Sequence, residues 1–369
     1  MSRDLIHDLM PQTDHDGMSR RLAVLALKRA VGGVLQPALM TTYESEVKPR
    51  IEKSVERPIE TSADFREELK DTPQYNLWSS VNRAAQHRMW SMLSGQIDAD
   101  YERIEAASAK SPAVASLSEP SDFSPPKYIE QADIHCQPGG YLLDRFDGDL
   151  GAGLLYEMGG NIYAMGQNIG AKDSKAQRII SFIREEFPDL RPKKILELGC
   201  SAGAQTTYYA AEFPDADVHA VDISPAMLRY AKNRADTLGA KVSFQLADAG
   251  NLPFGDGEFD LIVSHNMLHE TAANHQQNIM QECERVLAPG GLCLHQDVAV
   301  QLDRLPPFIQ FLSEWQKENN GEPFWLDYAT ADIPDLLTKG GFENSKVKAH
   351  YLDQLDGPLK WYVVTAEKS

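Results

Sequence analysis

The sequence predicts an α/β protein: a doubly wound, seven-stranded, mostly parallel sheet carrying an N-terminal helical domain. Three observations lead there. Between residues 193 and 298 short apolar runs alternate with helix-compatible segments, the pattern of parallel strands joined by crossover helices. One such run, ending at Leu198, passes through Gly199 and Gly203 straight into an alanine-rich helical stretch that stops before Pro214. Ahead of residue 107 the apolar residues instead recur at three and four, as on helices.

The helical region comes first. Residues 16–40 hold Leu22, Leu25, Ala26, Arg29 and Gly33 at helix-compatible spacing, and residues 42–55 form a charged amphipathic segment. Further on, Trp78, Val81, Ala85, Met89, Trp90 and Leu93 make a wide apolar stripe. A stripe of that width needs a partner, either the rest of the chain or a second subunit, so a homodimer through this domain is one expectation. Residues 107–126, with Pro112, Pro120, Pro125 and Pro126, read as a linker. The first domain is therefore 1–126 and the second 127–369.

The second domain opens unusually. Nine of the chain's 25 glycines fall between Gly139 and Gly170, interleaved with Tyr141, Phe146, Tyr156 and Tyr163. Glycines weaken a strand, so residues 127–170 are expected to form a flexible cap with aromatic contacts, with an irregular loop as the alternative. Residues 173–187 then form an amphipathic helix with Ala176, Ile179, Ile180, Ile183 and Phe187 on one face. Strands are predicted at 193–198, 217–223, 241–247, 259–264 and 292–296. Ser224 and Pro225 open the helix after the second strand and Gly239 closes it. Residues 343–351 and 360–366 are too close for a crossover helix and should pair as an antiparallel hairpin. Between the fifth strand and this hairpin, residues 298–340 are an insertion on the substrate side. Phe308, Phe311 and Trp315 sit there at helical spacing, whereas Phe324 and Trp325 follow a turn sequence and are expected on a loop.

Composition bounds the function. At 42% hydrophobic and 24% charged residues, the 369-residue chain has the balance of a globular protein with two cores. The most apolar stretch, residues 22–35, is broken by Lys28 and Arg29, so no membrane association is expected. Asp4, His7 and Asp8 are unlike a secretory leader, and Cys136, Cys200, Cys283 and Cys293 lack metal or redox spacing. A cytoplasmic location is the expectation. Of the net charge of −18, residues 1–126 carry −4 and residues 127–369 carry −14, which disfavours nucleic acid as a partner.

The glycine turn sets the chemistry. A strand, a turn with little side-chain bulk and a helix N-terminus make the floor of a nucleotide-type pocket. The dinucleotide fingerprint would need glycine where this chain has Ser201 and Ala204. What stands here, Glu197-x-Gly199-x-Ser201-x-Gly203, resembles the first motif of class I S-adenosylmethionine-dependent methyltransferases, with Ser201 departing at the usual middle glycine. Asp222, 23 residues after Gly199, ends the next strand, where a carboxylate can accept both ribose hydroxyls. Asp248 ends the third, and Pro289-Gly290-Gly291 precedes the fifth. The resemblance covers roughly residues 170–369. It implies S-adenosylmethionine as cofactor, held by Glu197, Gly199, Cys200, Ser201, Gly203, Asp222, Ile223, Asp248, Ala249 and His265.

The acceptor side is less defined. The segment from His265 through Asn266 to Glu270 lacks the Asn/Asp-Pro-Pro-aromatic tetrapeptide of amide methyltransferases and a Pro-Cys nucleophile. Glu270 is followed by Thr271, Ala272, Ala273 and Asn274, so it begins no H-E-x-x-H zinc motif, and no metal is expected. A metal-binding His265/His269 pair on one helical turn is the alternative. An imidazole titrates at about 6.5 when unperturbed, so His269 is the preferred general base and His265 the second candidate. Tyr141, Tyr156, Tyr163, Asn266, Phe324 and Trp325 are the expected acceptor contacts. The expected activity is methyl transfer to a small-molecule acceptor, with oxygen favoured. Carbon, nitrogen or sulfur acceptors are alternatives, as is a non-catalytic cofactor-binding assembly module.

Overall fold

The computed structural model describes residues 7–165, 174–355 and 359–369. An eight-stranded sheet organises them. Its strands are β1 (Ser116–Ser118), β2 (Lys194–Leu198), β3 (Asp217–Asp222), β4 (Ser243–Leu246), β5 (Phe259–His265), β6 (Leu287–Val298), β7 (Val347–Asp353) and β8 (Lys360–Glu367). Across the sheet they run β1-β4-β3-β2-β5-β6-β8-β7, parallel as far as β6, with β8 antiparallel to both β6 and β7. The predicted sheet and terminal hairpin are therefore present, with one strand more than the seven expected. The extra strand lies in the proline-rich segment expected to be only a linker. Ser116–Ser118 pairs with Ser243–Gln245, and the amides of Val114 and Ala115 donate to the Asp236 carboxylate at 2.7 and 2.8 Å. Backbone that would otherwise be solvated is thus absorbed into the sheet edge.

Strand order reverses between β2 and β5, so the carboxyl ends of β2 to β5 frame a crevice. β2 is buried from Ile195 to Leu198 because helices cover both faces of the sheet. Ile179, Ile180 and Ile183 of the helix Ser174–Glu186 pack on one face, and Ile279, Met280 and Cys283 of Ala273–Val286 on the other.

The N-terminal region departs from the sequence reading in continuity. Residues His15–Val55 form one helical run of 41 residues with π turns at Val31–Leu35 and Tyr43–Val47. Each π turn ends just before a proline-containing turn, at Pro37 and Pro49. The widened turn accommodates the missing amide, so both prolines are carried inside a helix that continues across the break expected between residues 40 and 42. One window of this run has mean hydropathy 1.4, enough by length and composition to cross a membrane. It packs Val31, Leu39, Tyr43, Val47 and Ile51 inward and leaves Leu22 and Val34 exposed.

The helical region, the glycine-rich segment and the insertion share cores rather than standing apart. Phe308, Phe311 and Trp315, on the helix Pro307–Asn319, pack against Tyr43, Phe65 and Trp78. The long helix Pro73–Lys110 packs against Gly151–Tyr163. That last helix explains the glycines. A Cβ on Gly153 would lie 2.4 Å from Tyr230 Cβ, and one on Gly159 would lie 2.5 Å from the Trp90 ring. The glycines allow close helix packing, so the described part of the cap is a packed helix joined to short 3₁₀ turns. Residues 166–170, the end of the expected cap, lie outside the described residues.

Candidate functional site

At the carboxyl edge of β2 to β5 lies a cleft of about 640 Å³. Gly199, Ser201, Asp222, Ile223, Asp248 and Ala249 line one side of it. Tyr128, Tyr141, Tyr156, Asn266, Met267, Glu270, Thr271 and His275 line the other.

The first side is built by backbone geometry. Gly199 has φ 63°, and a Cβ there would lie 2.7 Å from Met267 Cγ, so the β2 turn seats directly against the cleft wall. Ser201 takes φ 49°, the left-handed conformation that a glycine would adopt without strain. Its amide donates to Asp222 Oδ2 at 2.9 Å, while the Ser224 amide donates to Oδ1 at 3.0 Å. Asp222 is therefore fixed by neighbouring backbone amides where it lines the cleft. Burial pushes its carboxyl pKa up, and these amides pull against that shift. Asp248 accepts from the Gly250 amide at 2.8 Å and pairs with His275 Nε2 at 2.6 Å.

Three expected cofactor residues stand behind this surface. Glu197 is buried and bonded to Thr206 Oγ1, which ties β2 to the following helix. Cys200 is buried, and its amide donates to Val221 O at 3.0 Å. Gly203, at φ 73°, begins the helix Ala204–Glu212 where a Cβ would press on Ala231 at 3.0 Å. His265 also lies beneath: its Nδ1 donates to Gln296 Oε1 at 2.8 Å and its Nε2 accepts from Tyr209 Oη at 3.0 Å. Neither His265 nor His269 lines the cleft, and the two rings make different contacts, so the metal pair weighed from the sequence does not form.

His269 belongs to a buried charged cluster behind the acceptor wall. The backbone makes a 3₁₀ turn at Leu268–Glu270, which lets consecutive side chains meet. His269 Nδ1 donates to Asp297 Oδ1 at 2.5 Å, and its Nε2 lies 3.4 Å from Glu270 Oε1. Glu270 Oε1 also lies 2.9 Å from His135 Nε2 and accepts from Tyr141 Oη at 2.9 Å. His135 Nδ1 in turn contacts Glu322.

Burial alone would lower both imidazole pKa values. The carboxylates override it: Glu322 and Glu270 raise His135, and Asp297 and Glu270 raise His269. The His269 ring is thus pushed toward its protonated form, which disfavours the general-base role expected from an unperturbed imidazole. Burial would raise Glu270, but His135 and His269 hold it well below the ordinary carboxylate range. Burial raises Glu322, with His135 opposing.

Other expected acceptor contacts divide. Tyr141 and Tyr156 meet edge to face at 5.7 Å in the cleft, and Asn266, at φ 53°, lines it. Tyr163 lies outside, its hydroxyl bonded to Gln86 and Lys28 Nζ over its ring at 4.7 Å. Phe324 packs on Tyr128 from behind. Trp325 opens the short helix Trp325–Ala329 instead of riding a loop, donates to Ser313 Oγ at 2.6 Å and meets the His269 ring at 5.4 Å. Tyr128, Met267, Thr271 and His275 were not singled out, because no local pattern marks them. The only signals for His135 and Glu322 are their positions beside glycine-bearing turns.

Residues 195–291 match the family model described as "Methyltransferase domain". They form a class I S-adenosylmethionine-dependent methyltransferase domain. The chain is similar to the chloroplastic tocopherol O-methyltransferase of Arabidopsis thaliana, 28% identical over 48% of this chain and 53% of that one. It is similar to the ajmaline N-methyltransferase of Rauvolfia serpentina, 30% identical over 33% and 44%. It also resembles the ubiquinone/menaquinone biosynthesis C-methyltransferase of Desulfotalea psychrophila, 28% identical over 42% and 59%. The chain spans about half the length of the curated relatives it matches. The cofactor of the domain is S-adenosylmethionine, and Gly199, Ser201, Asp222 and Asp248 all line the cleft.

Proposed function

We propose that the chain transfers the methyl group of S-adenosylmethionine to a small-molecule acceptor, with a hydroxyl oxygen as the receiving atom. One observation carries this. The methyltransferase motif residues and a tyrosine-rich wall ending in Glu270 and Tyr141 face each other across a single cleft. Transfer is an in-line displacement at the sulfonium methyl, so alignment and exclusion of water supply most of the acceleration. The rings of Tyr128, Tyr141 and Tyr156 suit a flat, largely apolar acceptor. Glu270 and the Tyr141 hydroxyl offer the acceptor's hydroxyl a hydrogen-bonding pair, which supports oxygen over carbon. The named relatives include O-, N- and C-methyltransferases, so the receiving atom rests on this wall and not on similarity.

The test is turnover of methyl-labelled cofactor across a panel of phenols, amines and quinols. Label appearing in a phenol supports the reading. Cofactor that binds but is never turned over with any of them would instead favour a cofactor-binding assembly module.

A further inference from the structure

The cluster behind Glu270 is assembled at some cost. His135 comes from the cap, His269 and Glu270 from the turn after β5, and Glu322 from the insertion. His135 sits at φ 57° and Cys136 at φ 55°, two consecutive non-glycine residues in the left-handed region. Such strain persists only where the surroundings impose it, and it gathers at functional sites. Here the surroundings do impose it. The His135 carbonyl accepts from Gln86 Nε2 at 2.8 Å and Trp90 Nε1 at 2.7 Å, and its amide donates to Gly321 O at 2.9 Å. At Gly321 a Cβ would lie 2.7 Å from both Asp133 O and Cys136 N, so only glycine lets the insertion come close enough to bring Glu322 to His135.

The donors thus gathered are two imidazoles and two carboxylates, whose ligand atoms all lie within 4.8 Å of one another. Glu270 Oε2 and Glu322 Oε2 have no hydrogen-bond partner although they are buried, and Glu322 is only 2% exposed. Buried polar atoms are seldom left unmatched. Two donors about 2.1 Å from one ion stand about 3.0 Å apart at a right angle and about 3.4 Å apart at the tetrahedral angle. Glu270 Oε1 lies 2.9 Å from His135 Nε2 and 3.4 Å from His269 Nε2. Behind His269, Asp297 accepts the Nδ1 proton at 2.5 Å, which leaves Nε2 to face Glu270 and an ion beside it. Asp297 Oδ2 is itself fixed by the amides of Leu268 and His269 at 3.0 and 3.3 Å. A carboxylate orienting a histidine from behind is the usual outer shell of a bound metal.

We propose that His135, His269, Glu270 and Glu322 bind one divalent transition-metal ion, which joins the cap, the β5 turn and the insertion into one acceptor wall. Mixed imidazole and carboxylate donors suit Zn²⁺, Mn²⁺ or Fe²⁺. The ion replaces the protons that otherwise hold these carboxylates together. Because Glu270 also lines the cleft, the ion sits at the acceptor's edge rather than in a remote core. The other cysteine–histidine group among the described residues, Cys283, Cys293 and His295, differs. It is wholly buried between sheet and helix and contains no atom without a partner.

The test needs no acceptor and does not depend on methyl transfer. Full-length protein is freed of metal with a chelator, then titrated calorimetrically with Zn²⁺, Mn²⁺ and, without air, Fe²⁺. Expected is one ion per chain for at least one of them, with a rise in melting temperature. Glu322→Gln, nearly isosteric, and His135→Asn, whose side chain tolerates the left-handed backbone, should each lower affinity at least 100-fold. Asp297→Asn should lower it about 10–100-fold through His269. Cofactor binding is measured on the same samples. If the metal-free wild type binds cofactor normally but takes up none of the three ions saturably, the assignment is overturned and the cluster is a proton-sharing network. Variants that bind metal as tightly as wild type overturn it equally. Metal binding without cofactor binding would instead sink the methyl-transfer reading and leave this site standing.

Discussion

The two walls of the cleft are built by different means. The cofactor wall, Gly199 to Ala249, comes from three successive strand ends within one stretch of chain, and its side chains are fixed mainly by neighbouring backbone amides. The acceptor wall takes Tyr128 and Tyr141 from the cap, Tyr156 from the cap helix and Glu270 from the turn after β5. Behind it stand His135, held by Gln86 and Trp90 of the N-terminal helices, and Glu322 of the insertion. The first wall follows from a local motif. The second exists only when distant segments have docked, so the helical region helps to build the site rather than simply accompanying it.

The sharpest way to separate the walls is to damage each and read both functions. Glu270→Gln keeps the shape of the acceptor wall but removes the charge shared by His135, His269 and Tyr141. Turnover should fall about 10²–10⁴-fold, while cofactor affinity stays within a few-fold of wild type. If cofactor affinity falls as far as turnover, the walls are not independent and the comparison fails.

A second prediction probes the tie between them. Glu157, on the cap helix, bonds Tyr230, Arg234 Nε at 3.4 Å and His7 at 3.2 Å, which anchors the cap to the helix Pro225–Leu238 behind the cofactor wall. Burial would raise the Glu157 pKa, but Arg234 and His7 bring it down to about 2 from an ordinary 4.5. A depressed carboxylate stabilises the fold above its unfolded pKa and loses that contribution as pH falls through its folded pKa. Wild type should therefore lose its advantage over Glu157→Gln between about pH 4.5 and 2, by up to about 3 kcal/mol. Denaturant melts of both proteins across that range measure it. A gap that does not change with pH would show that Glu157 is not the anchor.

Third in size is Asp222→Ala. It removes one charged acceptor from the cofactor wall and should cost roughly 1.5–3 kcal/mol of cofactor affinity, about tenfold to over a hundredfold. The amides of Ser201 and Ser224 lose their partner as well, so part of the loss will come from a slackened turn. Calorimetry with unchanged affinity would remove Asp222 from the site.

Legibility in the sequence follows the same division. The sheet, the terminal hairpin, Asp222 and Asp248 could be read because strand period, turn residues and motif spacing are local. β1 was hidden because three residues between prolines show no alternation, and its pairing depends on β4 and on Asp236. The cap's glycines misled for a physical reason: they look like chain flexibility, but at Gly153 and Gly159 they are close contacts with Tyr230 and Trp90. His269 was visible as a candidate, yet its charge state was not. That state is set by Asp297 on β6 and by Glu270, whose side chain meets it only through the 3₁₀ turn. His135 and Glu322 lie 187 residues apart, and no spacing rule joins them.

The smallest expected effect tests how locally the cofactor wall is encoded. Ser201 stands where the family's motif usually has glycine, and it adopts φ 49° all the same. Its amide must face Asp222 Oδ2, so the backbone cannot relax to a negative φ without losing that 2.9 Å bond. A non-glycine residue in this region carries roughly 1–2 kcal/mol of strain. Glycine would remove the strain but widen the unfolded ensemble, which takes back about 0.4–1 kcal/mol. The serine hydroxyl offsets little, since its contact to Gly199 O is long at 3.4 Å. Ser201→Gly should therefore stabilise the protein by about 0.5–1 kcal/mol in denaturant melts, with cofactor affinity unchanged or slightly improved. A clear loss of affinity would mean that the Ser201 hydroxyl contacts the cofactor directly, and that this wall is specified by a side chain where the motif supplies only backbone.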